Sequence, residues 1–247
     1  ILVSKRGHFS LRKAGGVLGF GNANVIPIDV DDNRSIDLAK LTDKIQEFKA
    51  DPKTRIAAII GIAGATETGI IDPLPQMAEI CHSHGIHFHV DAAWGGPVLL
   101  SEKYCHLLRG IEQADSVTID CHKQFYMPMT AGMVYFKDPK ALDHIVYHAR
   151  YVNRMGSVDL GIKTLEGSRE ANSLILDSAL KIMGSRGYAL MIEYGIETAK
   201  KFSEMIDARP LFQLVTRPQL NIITYRMVPL DIRKKLKTAT PEERQYL

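Results

Sequence analysis

Apolar and polar positions along this chain follow two periods, and the switches between them lay out its elements. Short apolar runs at Ile56 to Ile62, His87 to Asp91 and Ser116 to Asp120 have the length and β-branched content of strands buried on both faces. Between the first two, Asp72-Pro73 opens a stretch that Gly85 closes. This predicts a helix with Asp72 as its cap and Pro73 at the first helical position. A further helical segment is expected between Asp91 and Ser116. Upstream, Leu38, Leu41, Ile45 and Phe48 recur at helical spacing within 36–48, and Asn24 to Val30 alternates like a strand. Ser10 to Leu18 predicts a short helix capped by Ser10, with Gly19 and Gly21 ending it. Strand, helix, strand, helix, strand is the order of repeated βαβ units, so an α/β fold with a mostly parallel sheet is expected; Met133 to Phe136 adds a later strand.

Beyond residue 144 the pattern changes. Tyr147, Tyr151, Asn153, Arg154, Gly156 and Gly161 lie in a segment, about 144–169, without a sustained apolar period, which is expected to be a mobile functional loop. Glu170 to Ile206 reads as one long or broken helix, with Gly184 and Gly187 marking the break. Phe212 to Thr216 and Asn221 to Met227 read as two strands joined through Arg217-Pro218. The expected organisation is a large domain over 1–170, then a long helix and the start of a smaller C-terminal α+β domain over 171–247.

Composition narrows the function classes. A formal charge of +3, scattered along the chain, gives no footprint for nucleic acid; the nearest basic run, Arg233-Lys234-Lys235 with Lys237, reads as a solvated helix face. Cys81, Cys105 and Cys121 make neither a CxxC pair nor an even set, so a cytoplasmic protein without disulfides or structural zinc is expected. No run is long enough to span a bilayer and no basic-then-apolar leader is seen, so a membrane partner is not expected. His82, His84, His87 and His89 crowd together, but the first two belong at a helix end, where the dipole favours a cation, and the others in a polar strand seam; no metal site is assigned.

Candidate chemistry comes from two strand ends. The run ending in Asp91 delivers an acid, and the segment closing on Cys121-His122-Lys123 delivers an amine, both at the edge where parallel strands present reactive groups. A lysine that can form an imine, opposite a carboxylate, is the pair that pyridoxal 5'-phosphate requires: lysine for covalent attachment, acid for the pyridine nitrogen.

Four stretches carry a family resemblance: SKRGHFSLRKAG near the start, AGATETGIIDP from Ala63 to Pro73, HVDAAWGG, and DSVTIDCHK ending in Lys123. In this order they resemble the group II pyridoxal-phosphate-dependent amino-acid decarboxylases, over nearly the whole chain. The resemblance implies the aspartate-aminotransferase-type fold (fold type I). It implies Lys123 as the Schiff-base lysine, Asp91 as the partner of the pyridine nitrogen, and His8 stacked on one ring face with the small Ala93 on the other. Thr66 would stand beside the cofactor and His122 near its phosphate. Tyr151 matches a loop tyrosine that returns a proton to Cα, acting at the partner subunit's site in a homodimer, with Tyr147 as its rival. Ala65 stands where many members have threonine, and Asp120-Cys121 where many have Asn-Pro, so no phosphate contact is transferred to Asp120.

The implied activity is α-decarboxylation of an L-amino acid. HKQFYMPM, from His122 to Met129, looks closer to members acting on aspartate, glutamate or 2,4-diaminobutyrate than to the aromatic enzymes. Alternatives are another fold-type I enzyme, an aminotransferase or a carbon–carbon lyase, and a non-catalytic module of the same fold. The abrupt Ile1-Leu2-Val3 opening reads as a strand already under way, so a fragment is expected, with the family's glycine- and serine-rich phosphate-contacting segment before Ile1.

Overall fold

A computed structural model of the protein describes residues 1–129, 131–148, 156, 158, 160–168 and 170–240. Its centre is a six-stranded sheet in the order β2-β1-β3-β4-β5-β6. The strands are β1 (Leu2–Ser4), β2 (Ile26–Ile28), β3 (Ala58–Ile62), β4 (His87–Asp91), β5 (Ser116–Asp120) and β6 (Gly132–Phe136). The first five run parallel and β6 returns antiparallel to β5. Crossovers run through α1 (Ser10–Val17), α2 (Leu38–Ala50) and α3 (Leu74–His84). The mostly parallel α/β sheet expected from the apolar runs is therefore present.

Alternation along the strands decides what each face does. Leu2, Ile59, Phe88, Val90 and Ile119 pack with Leu41 and Ile45 of α2 and with Leu74, Met77, Ala78 and Cys81 of α3 in the main core. Burying each large side chain there contributes about 2 kcal/mol. Gly61 belongs to this face because a Cβ would come within 3.0 Å of Leu74 and 3.2 Å of Phe88. On the opposite face, Val3, Ile60 and Ile62 form a smaller cluster with Val25, Ala65 and Leu11. His87, His89 and Asp91, and with them Ser116, Thr118 and Asp120, have the parity of that second face.

Several local expectations shift. Ser10 is the first residue of α1 and supplies no cap; its hydroxyl is bonded to His8 Nδ1 at 2.7 Å. Asp72 does not cap α3 either. Its buried carboxylate accepts the backbone N–H of Ile36 at 2.8 Å and of Ile62 at 2.9 Å, joining the α2 approach to the end of β3. α3 starts at Leu74, one residue after Pro73, and Gly85 ends it in the left-handed conformation as expected, φ 65°. β3 begins at Ala58 rather than Ile56. The segment between β4 and β5 is three short 3-10 turns, Gly96–Leu100, Cys105–Leu108 and Ile111–Gln113, because Gly95-Gly96-Pro97 and Gly110 interrupt any longer helix.

Of the expected loop, Tyr151, Asn153 and Arg154 lie outside the described residues, while 3-10 turns occupy Ala141–Ile145 and Leu160–Lys163. α4 (Asn172–Asp207) is broken at Gly184, φ 64° and ψ 169°, whereas Gly187 is helical. β7 (Phe212–Leu214) and β8 (Tyr225–Met227) then pair as a separate antiparallel ribbon, and α5 (Leu230–Thr238) follows. Among the described residues, no helix is long and apolar enough to cross a membrane.

Candidate active site

In a parallel sheet all carboxyl ends lie along one edge, so whatever follows β1, β3, β4 and β5 is gathered there. His8 follows β1, Thr66 follows β3, Asp91 and Ala93 end β4, and His122 and Lys123 follow β5. Six of the seven residues singled out from sequence thus share one edge of one sheet; the seventh, Tyr151, lies outside the described residues.

The strand ladders continue past the strand ends and hold the loops. Ala63 N–H donates to Asp91 O at 2.8 Å, Ala92 N–H to Thr118 O at 2.9 Å and Asp120 N–H to Ala93 O at 3.3 Å. Asp91 Oδ1 accepts the N–H of Ala93 at 3.1 Å, which sets the carboxylate over its own turn. The two glycines of HVDAAWGG are there for close approach: a Cβ on Gly95 would lie 2.3 Å from Ala63 O, and one on Gly96 2.6 Å from Ile119.

After β5, Lys123 Nζ pairs with Asp120 Oδ2 at 3.0 Å, a partner that the sequence reading did not assign to it. The i, i+3 spacing on a turn was the available signal. His122 donates from Nδ1 to the carbonyl of Ala131 at 2.8 Å, and its Nε2 faces Asp120 Oδ2 at 3.7 Å. Tyr126 closes this turn at φ 56°, an unusual conformation for a non-glycine residue that clusters at functional turns.

Gln124 was also not singled out. Its buried side chain donates from Nε2 to Trp94 O at 2.7 Å, bracing the lysine turn against the Asp91 turn, while its Oε1 is buried without a partner.

The other side of the edge is built from turns. The loop after β3 folds back through an Ala63↔Ile71 bridge, with Gly64 at φ 106° and Gly69 at φ 68° making the corners and Thr66 exposed at the tip. Arg6, beside His8, reaches Glu67, beside Thr66, at 2.6 Å. The C-terminal segment is fastened onto the same loops: Gln219 Oε1 accepts Ile71 N–H at 2.7 Å, Asn221 Oδ1 accepts the Trp94 indole N–H at 2.9 Å, and the Thr224 hydroxyl donates to Glu67 O.

Burial sets the protonation of nearby groups. Asp72, at the base of the β3 loop, is pushed up to about 6 because desolvation outweighs the amides that hold its anion. His89, two residues before Asp91, is pushed down by desolvation and stays neutral over a wider pH range than an ordinary histidine. Cys81, in the main core, is pushed up to about 12 for the same reason and is no nucleophile. Among the described residues, no group of three or more His, Cys, Asp or Glu is arranged to hold a metal ion.

A primary amine and a carboxylate on neighbouring strand ends, imidazoles on the flanking turns, and alanine and glycine where the backbones approach most closely form a donor set that fits a pyridoxal group.

Comparison with known proteins gives the same direction. A family model described as the pyridoxal-dependent decarboxylase conserved domain matches residues 1–228. Aspartate 1-decarboxylase of Aliivibrio fischeri (strain ATCC 700601 / ES114) is 49% identical over 244 residues, which is 99% of this chain and 44% of that protein. L-2,4-diaminobutyrate decarboxylase of Acinetobacter baumannii is 30% identical, over 93% of this chain and 46% of that protein. The crystal structure of mouse CSAD in apo form superposes with a TM-score of 0.88 at 29% identity, covering 99% of this chain and 51% of that one. The chain spans about half the length of the curated relatives it matches. With its four strand ends converging on one edge and this match over nearly all its length, the chain belongs to the pyridoxal-dependent decarboxylase family.

Proposed function

We propose that the protein decarboxylates an L-amino acid at Cα using pyridoxal phosphate, and that its substrate is either acidic, aspartate first and then glutamate, or the basic 2,4-diaminobutyrate. The observation that carries this is the 49% identity to an aspartate 1-decarboxylase across a segment that holds both Asp91 and Lys123. When bound, pyridoxal phosphate supplies an electron sink for the pair left on Cα as carbon dioxide departs.

The chain's own residues do the rest. Lys123 offers the amine for covalent attachment, and Asp120 beside it at 3.0 Å can accept or return a proton at Nζ. Asp91 would offer a carboxylate to the pyridine nitrogen and so favour its protonated form. His8 and Ala93 would bound the ring on its two faces, and Thr66 and His122 would help to hold the cofactor, the latter on the phosphate side. Tyr151 delivers a proton to Cα after carbon dioxide leaves, with Tyr147, exposed and held through its backbone N–H to Ile162 O at 3.1 Å, as the alternative donor. The active unit is a cytoplasmic homodimer whose site lies at the subunit interface, with Tyr151 acting across it.

The test offers the full-length protein, with pyridoxal phosphate, carboxyl-labelled aspartate, glutamate, 2,4-diaminobutyrate and an aromatic amino acid one at a time, and traps carbon dioxide. Release from aspartate above the others is the expected result. Transfer of the amino group without carbon dioxide would replace the decarboxylase with an aminotransferase. Absence of a borohydride-fixed pyridoxyl group on Lys123 would leave a non-catalytic module.

A further inference from the structure

Two carboxylates end neighbouring strands at the edge of the site, and they face different partners. Asp91 turns Oδ1 onto the N–H of Ala93 at 3.1 Å, within its own turn. Asp120 instead turns Oδ2 toward the residues that follow it, 3.0 Å from Lys123 Nζ and 3.7 Å from His122 Nε2. The amine is the nearer of the two, so the lysine of the site rests on Asp120.

A long lysine often meets an exposed acid without consequence, but both ends of this pair ride on fixed backbone. Asp120 closes the antiparallel ladder opposite Gly132, and its N–H donates to Ala93 O at 3.3 Å. Past it the chain doubles back at once: Tyr126 N–H donates to Lys123 O at 2.9 Å and Met127 N–H to Cys121 O at 3.2 Å. His122, held through Nδ1 by Ala131 O, keeps its Nε2 beside the same carboxylate oxygen. The side chains of Lys123 and Asp120 are 29% and 20% exposed, so water screens their charges less than it would at an open surface.

The duty of the lysine gives this contact its meaning. Lys123 attaches to the cofactor and must let go once in each turnover, when the substrate amine takes its place. The carbon bonded to Nζ becomes bonded to the substrate nitrogen instead, and the two protons that the substrate ammonium sheds pass to Nζ, which carried one while attached. The released lysine is then an ammonium in need of a counter-charge. We propose that Asp120 is a catalytic residue that receives Lys123 whenever the lysine is off the cofactor: its carboxylate holds the ammonium at the strand end, favours release over attachment, and keeps the amine within reach for its return. This rests on the decarboxylase reading above. It gives the two acids of the edge separate duties, Asp91 toward the pyridine nitrogen and Asp120 toward the lysine.

The test measures covalent attachment to the cofactor-free full-length protein at one fixed pH near neutrality, for wild type and Asp120→Asn, which keeps the shape and removes the charge. Pyridoxal phosphate and pyridoxal are used in parallel, because pyridoxal has no phosphate for Asp120 to repel. Attachment is read from the visible absorbance and from the borohydride-fixed adduct on Lys123, and release from the methylamine concentration that displaces half of it. Asp120→Asn should attach pyridoxal about fivefold more tightly and need about fivefold more methylamine for release, the upper end of what a charge pair of this kind contributes. Raising chloride from about 0.05 to about 0.5 M screens a charge pair, so it should move wild type toward the variant and leave the variant where it is. A purely structural role would not respond to salt in this way.

Equal or weaker pyridoxal attachment in Asp120→Asn, or a salt response shared by both proteins, would overturn the proposal while leaving the decarboxylase reading standing. So would tighter attachment of pyridoxal phosphate alone, which would make Asp120 only a source of repulsion toward the phosphate. Should the variant not fold, wild type decides by itself, and attachment that does not tighten with salt overturns the proposal. A wild-type protein that attaches neither compound would overturn both readings.

Discussion

Asp72 offers the sharpest quantitative test of the fold around the site. Its carboxylate is buried, accepts the N–H groups of Ile36 and Ile62, and is raised from 3.8 to about 6 by desolvation. An acid whose native pKa lies above its unfolded value binds more protons in the native state between the two values. Its contribution to stability is therefore present at low pH and lost as pH rises through the native value. A shift of roughly two units corresponds to about 3 kcal/mol in full. Between pH 7 and about pH 5 the native acid goes from ionised to mostly protonated while the unfolded acid stays ionised, which recovers roughly 1.3 kcal/mol of it.

Asp72→Asn never ionises and should lack this gain. It also turns an amide N–H₂ toward one of the two backbone donors, at a cost of about 1–3 kcal/mol. Near pH 7 that cost is offset by the ionisation penalty the variant escapes, so the two proteins should unfold at similar denaturant concentrations. Near pH 5 the variant should be the weaker. Urea unfolding of both proteins at both pH values isolates the difference, because every other titrating group cancels; it should be about 1.3 kcal/mol, or roughly 3–5 °C in melting temperature. Parallel pH dependences, or a wild type that gains on the variant as pH rises, would refute the assignment of a desolvated acid at this position.

Other substitutions test the site directly. Lys123→Ala should abolish the borohydride-fixed pyridoxyl adduct and the visible absorbance of the cofactor-bound protein, checked by peptide mass mapping. Tyr151→Phe should slow amine release by at least about tenfold, in the range of a lost positioned proton donor, while leaving cofactor absorbance unchanged; ordinary turnover would move the role to Tyr147. Gly95→Ala places a Cβ where only 2.3 Å separates it from Ala63 O. Because backbone cannot yield as a side-chain tip can, it should cost at least about 2–3 kcal/mol in unfolding free energy.

The sequence was most legible where the signal is a period. The apolar runs gave β3, β4 and β5 to within two residues, and Gly85 and Gly184 marked helix breaks at positive φ that only a residue without Cβ adopts readily. Legibility failed where a polar side chain could choose between partners. Ser10 and Asp72 carry the chemistry of helix caps, yet one is bonded to His8 and the other is drawn inward by two amides from segments 36 and 10 residues away. Asp120 was set aside because many family members carry Asn there, although a carboxylate three residues before Lys123 on a turn is within reach of it. Gln124 lies within HKQFYMPM but was given no role there, and Asn221 carries no motif; their roles arise from contacts 30 and 127 residues apart.

The two halves of the candidate site are held by different physics. Asp91 and Lys123 stand on strand ends whose ladders run on into the turns, and the Ala63, Ala92, Asp120 and Gly95 amides all take part. Displacing either residue would break several buried backbone bonds together, and the Gln124 brace adds one more between the two turns. His8 and Thr66 stand on turns joined by the Arg6–Glu67 pair, in which the Glu67 side chain is 66% exposed. A pair of that kind contributes under about 1 kcal/mol, so this half depends instead on the segment 219–224 laid against it through Gln219 and Thr224. The acid and the lysine are therefore fixed by the sheet itself, whereas the turn with His8 and the loop with Thr66 can shift by rearranging a few exposed contacts. Of the two halves, the one that must hold a fixed distance between two charges is the one built on backbone hydrogen bonds.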